Sequence, residues 1–148
     1  MTPPALFRGP LPPSMAAVVV ALLVLAAPVL AGTLVNARCP CGYHTQRMPL
    51  FGGRANFRTV CLFPALCPTS HELVLVNLLD PEAPSPQCPG GKALPYTDPS
   101  LAPQVGGPVV TSWNVRDRGL SVQLFSHGYR CPRCGRPTLS FSFAGNWD

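Results

Sequence analysis

Apolar and polar positions alternate over several short stretches of this chain, and no stretch of eleven or more residues after Gly32 repeats with a helical period. Leu120, Val122 and Leu124 alternate with Ser121 and Gln123, and Leu139, Phe141 and Phe143 alternate with Ser140 and Ser142. Each pattern has the two-residue period of a strand with one buried face. The run from Leu73 to Leu79 is too short for a helix and, being almost wholly apolar, reads as a buried strand. Gly128 and the proline-bounded segment 132–137 separate the last two alternating patterns. The C-terminal stretch therefore predicts a β-hairpin whose turn carries Cys131 and Cys134. The expected fold class is mostly β.

Two segments break this pattern. Residues 16–35 form 20 consecutive positions without a charge, ending in the small-residue sequence Val29-Leu30-Ala31 before Gly32. That reads first as a signal peptide at 1–31, removed on export to the periplasm or beyond, although Arg8 alone supplies its positive end. The same run is long enough to anchor the chain in a membrane uncleaved. A start codon placed too far upstream, with a cytoplasmic protein beyond it, is the third reading. The second interruption, residues 80–108, holds eight prolines and four glycines in 29 positions and predicts a loop. The expected organisation is a leader at 1–31, a first half at 32–79, the loop at 80–108 and a C-terminal hairpin at 109–148.

Composition narrows the function. Of 148 residues, 20 are proline and 13 glycine, which excludes coiled coils and helical bundles because proline lacks an amide proton and clashes with the preceding turn. Charged residues are only 11%, and apolar residues reach 47%, so long solvated tails are excluded too. Seven cysteines remain as the other outlier, pointing to metal or disulfide staples for a core this small.

The most specific motif is Cys131-Pro132-Arg133-Cys134-Gly135. A C-x-x-C turn aims two thiolates at one tetrahedral ion, and a following glycine lets the backbone leave with positive φ. Cys39-Pro40-Cys41-Gly42-Tyr43 is a contracted version. Cys67-Pro68-Thr69-Ser70-His71 and Cys88-Pro89-Gly90-Gly91 begin alike, but Ser70 and Gly91 stand where a second cysteine would. With Phe51-Gly52-Gly53 between the first two, the segment from about Arg38 to Asp148 resembles small bacterial proteins built of paired zinc ribbons with rubredoxin-like knuckles. The resemblance implies β-hairpin modules, zinc in a structural role and no reaction.

Counting ligands gives two expected sites for one or two zinc ions. One would use Cys39, Cys41 and Cys67 with His71 or Cys61; the other would use Cys131, Cys134 and Cys88 with His127 or water. His127 beside Gly128 also reads as an exposed turn residue, and His44 as a strand-edge residue. Arg130, Arg133 and Arg136 would offset the charge of a thiolate centre or simply face solvent. The competing account is a disulfide-stapled secreted domain. A hybrid has Cys61 bonded to Cys67 or Cys88 and the knuckles on metal. A thioredoxin-like dithiol at Cys131 and Cys134 is excluded, because a strand and not a helix follows them.

No catalytic motif is present: the six acids make no spaced pair with a histidine, and there is neither a G-x-S-x-G elbow nor a phosphate loop. The expectation is a non-enzyme that binds zinc and an unknown protein partner. The alternatives are a metal handler with an open site at Cys88, Cys131 and Cys134, or a cytosolic ribbon on nucleic acid. The +5 net charge drops to +3 if six thiolates bind two zinc ions, which leaves a weak footprint for nucleic acid. A membrane enters only if residues 1–31 stay attached.

Overall fold

The computed structural model describes residues 32–103 and 106–148; the apolar segment 1–31, with the leader and anchor expectations placed on it, lies outside the described residues. The chain is mostly β, as the alternation predicts. Among the described residues the strands are β1 (Gly32–Arg38), β2 (His44–Leu50), β3 (Leu62–Cys67), β4 (Glu72–Asn77), β5 (Leu94–Pro95), β6 (Val109–Val115), β7 (Leu120–Phe125) and β8 (Ser140–Trp147). A short 3-10 turn, Arg116–Arg118, closes the β6–β7 hairpin and leaves through Gly119 in the left-handed region. All pairings are antiparallel, in sheets ordered β2-β1-β8, β4-β3-β5 and β6-β7.

The two alternating C-terminal patterns are strands, but they do not form the hairpin expected of them. β7 pairs with β6, Trp113 opposite Val122, while β8 crosses to β1, Val35 opposite Phe143 and Arg38 opposite Ser140. Between β7 and β8 the chain turns back through the knuckle at 131–136 with one bridge, Tyr129 to Leu139, and one further hydrogen bond, from the Phe141 N–H to the Ser126 carbonyl at 2.8 Å. The sheet β2-β1-β8 therefore draws on both the 32–79 and the 109–148 segments. β4 matches the predicted strand at Leu73 but is half-buried, since it lies at the edge of its sheet with only Val74 fully covered.

Segment 80–108 is more than a loop. β5 adds to β3, Tyr96 and Leu101 are buried, and the Tyr96 hydroxyl donates to the Arg130 carbonyl at 2.7 Å. The main core gathers Val35, Leu50, Phe63, Leu124 and Leu139, with Phe51 stacked on Trp113 at 5.0 Å and Tyr129 edge-on to Phe141 at 5.1 Å. A smaller cluster of Ala65, Cys67, Val74, Cys88 and Ala93 lies beneath the second sheet.

Candidate metal centre

The β1–β8 pairing decides which cysteines meet. Cys39 follows the last residue of β1, and Arg38 at that end is opposite Ser140 at the start of β8. The β1–β2 turn thus lies beside the loop that leads into β8, and the two complete knuckles face one another. The sulfurs of Cys39, Cys41, Cys131 and Cys134 all lie within 4.8 Å of one another. The Cys39–Cys134 and Cys41–Cys131 sulfurs are each 3.7 Å apart. With metal–sulfur bonds of about 2.3 Å, the edge of a regular sulfur tetrahedron is about 3.8 Å. The cluster is therefore spaced to take one tetrahedral ion, and its four thiolates fill every position.

Backbone geometry builds each knuckle. The Cys39 N–H donates to the Tyr43 carbonyl at 2.9 Å and the Gly42 N–H to the Cys39 carbonyl at 3.0 Å; Gly42 takes φ of 88° to close the turn. At the other knuckle the Cys131 N–H donates to the Arg136 carbonyl at 2.8 Å, the Gly135 N–H to the Cys131 carbonyl at 2.9 Å, and Gly135 takes φ of 70°. Both glycines follow the second cysteine of their pair, as the motif predicts.

The surroundings favour thiolates unequally. The Arg136 N–H is the largest influence on Cys134 and, with the Arg136 side chain and the neighbouring Cys131 and Cys39, holds it down to about 6 against desolvation. Burial acts to raise Cys39, but hydrogen bonds from the Thr138 hydroxyl, 3.2 Å away, and from the Cys41 N–H outweigh it and leave the thiol below its usual value. Burial pushes Cys131 up to about 12 although the Cys134 and Arg133 N–H groups point at it. Arg130 is tied down, its guanidinium donating to the Gly135 carbonyl at 3.0 Å and the Ser100 carbonyl at 3.3 Å. The Arg133 guanidinium lies 5.5 Å over the Tyr43 ring, from one knuckle to the other. Tyr43 then reaches the second sheet: its hydroxyl donates to Glu72 at 3.0 Å and accepts the Leu73 N–H at 2.9 Å.

The expected allocation into two sites is corrected. Cys67 and Cys88, assigned one to each site, are joined in a disulfide across 21 positions, which removes both from the ligand set. His71 follows Cys67 into that region, is exposed, and lies outside the sulfur cluster. Of the hybrid's bonds to Cys61, neither forms; Cys61 is a free, fully buried thiol. His127 Nδ1 is 2.9 Å from the Ser126 hydroxyl and His44 Nδ1 is 3.4 Å from the Gly42 carbonyl, and neither histidine belongs to the four-sulfur group. The open site at Cys88, Cys131 and Cys134 is likewise not assembled. No family model matches the chain, and no curated protein or solved structure matches it either.

Proposed function

We propose that this chain is a small exported zinc protein, held together by one structural zinc on Cys39, Cys41, Cys131 and Cys134 and acting by binding another protein. The observation that carries the zinc reading is the 3.7 Å spacing of sulfurs drawn from two knuckles 90 residues and more apart in sequence. The resemblance to zinc ribbons supports it. Four protein thiolates leave no position for water or substrate, which favours a structural over a catalytic or metal-transfer role. Bound metal would join the end of β1 to the start of β8, stabilising the sheet that mixes N- and C-terminal segments.

Export is supported by the Cys67–Cys88 disulfide, since such bonds persist in oxidising compartments. Cleavage after Ala31 would leave β1 whole, with Gly32 opposite Trp147. An anchor at 16–35 would instead lose Gly32–Val35 to that strand, leaving a run shorter than a span of about 20 residues. A protein partner is favoured over nucleic acid because Arg130 and Arg133 are already engaged beside a centre that would carry two negative charges. Phe143 on β8, 58% exposed, and Val109 on β6, 46% exposed, offer apolar contact instead.

The test is native mass spectrometry of protein from its own host, before and after treatment with a strong chelator. The expected result is a chain beginning at Gly32 that holds one zinc ion, and a lower unfolding temperature once the zinc is stripped. A metal-free chain with unchanged stability in chelator would overturn the reading.

A further inference from the structure

Two of the sulfur contacts in the cluster join one knuckle to the other, and each joins a buried cysteine to a half-buried one. Cys39, 7% exposed, lies 3.7 Å from half-buried Cys134, and Cys131, 1% exposed, lies 3.7 Å from half-buried Cys41. Each half-buried cysteine thus has a buried partner across the cluster. That is the arrangement in which an oxidant attacks one sulfur and the second displaces what it leaves behind.

We propose that the four-thiolate centre is an oxidation site for reagents of the hydroperoxide class, closing into two disulfides, Cys39–Cys134 and Cys41–Cys131, and releasing its metal. The inference rests on the zinc reading for its starting state. In the first step the Cys134 thiolate attacks a peroxide oxygen; the O–O bond breaks, hydroxide leaves and takes a proton, and Cys134 becomes a sulfenic acid. The Cys39 thiolate then attacks the Cys134 sulfur, the S–S bond forms, and a second hydroxide leaves. For the pair, two thiolates, one hydrogen peroxide and two protons give one disulfide and two waters. The sulfurs are oxidised by two electrons and the peroxide is reduced by two. The Thr138 hydroxyl, 3.2 Å from Cys39 Sγ, stabilises that attacking thiolate, and the departing hydroxide takes its proton from solvent. Cys41 and Cys131 repeat the sequence with a second peroxide.

The movement required is small. Each pair must close from 3.7 Å to the bonding distance of about 2.05 Å, while both knuckles stay tied by their own backbone hydrogen bonds. The two disulfides cross-link the segments that the metal joins, so the β1–β8 pairing survives oxidation. Cys61, fully covered, and the Cys67–Cys88 disulfide take no part.

The experiment treats zinc-loaded protein with increments of hydrogen peroxide beside a chromophoric zinc chelator, and then maps the disulfides by peptide mass spectrometry. The account expects complete loss of the zinc at two peroxides per chain, with Cys39 linked to Cys134 and Cys41 to Cys131. A Cys39→Ser variant should accumulate a sulfenic acid at Cys134 that dimedone traps; the wild-type map decides the matter whether or not that variant folds. Zinc retained under peroxide, bonds formed within a knuckle, or sulfinic acids in place of disulfides would each overturn the proposal. Protein that holds no zinc before peroxide is added sinks the zinc reading alone. The map on that reduced chain still separates cross-knuckle pairing, which upholds the assignment of partners, from pairing within a knuckle, which overturns it.

Discussion

Gly42 and Gly135 show what a single residue contributes to the centre. Each sits at positive φ directly after a cysteine pair, and a Cβ at either would meet nothing within 4 Å. The cost of adding one is therefore conformational and not steric. Gly135→Ala should lower the stability of the metal-loaded protein by about 1–2 kcal/mol, the penalty of a left-handed L-residue. Denaturant titration checks this, and an unchanged midpoint would contradict it. These glycines were also the legible part of the site. Cys41-Gly42 and Cys134-Gly135 end the two complete knuckles and supply all four clustered sulfurs. Cys67 and Cys88, whose second cysteines are replaced by Ser70 and Gly91, bond to each other. On motif alone Cys67 and Cys88 nevertheless count as ligands, one to each of two sites, because the motifs carry no statement of which knuckle meets which; that is a matter of sheet pairing.

At the scale of elements, the alternating patterns located β7 and β8 because a one-sided strand buries alternate side chains wherever its partner comes from; Val122, Leu124 and Phe141 follow this, while Phe143 is exposed against the expected pattern. The partners were not legible. Period-2 alternation is satisfied equally by a neighbour in sequence and by β1, about 100 residues away, and β1 itself lay at the end of an apolar run that reads as a leader. β5 escaped notice because two residues with a proline carry no pattern. Tyr43 is the link between the knuckles and the second sheet. Tyr43→Phe keeps the ring under Arg133 but leaves the Leu73 N–H without its acceptor and Glu72 without its donor. The expected loss is about 1–2 kcal/mol, read from the unfolding midpoint, with zinc content unchanged. Loss of zinc in this variant would show that the hydroxyl supports the centre itself.

For the whole molecule, the four-cysteine cluster and the disulfide lie in different regions, so the proposed metal and the disulfide would staple the chain at separate places. Closing a loop of 21 positions removes denatured-state entropy worth about 3 kcal/mol. Replacing both Cys67 and Cys88 by serine should cost roughly 2–4 kcal/mol while the zinc stoichiometry stays the same. If the zinc were lost with the disulfide, the two staples would not be independent. The buried core also makes the protein sensitive to alkali. Burial pushes the Cys61 thiol from 9.0 up to about 12 and raises the Tyr96 phenol in the same direction. Both hold their protons more tightly folded than unfolded, so this stability is fully present below pH 9.0 and is lost as pH climbs towards 12. Denaturant midpoints should fall steadily across that window; a level profile would contradict the assignment.

The central claim is that one zinc ion sits among four sulfurs drawn from both knuckles. Zinc-edge X-ray absorption on the purified protein tests it most directly. The account predicts four sulfur neighbours at about 2.3 Å and no nitrogen or oxygen in the coordination shell. A shell containing histidine nitrogen or water, or no bound zinc at all, would contradict it.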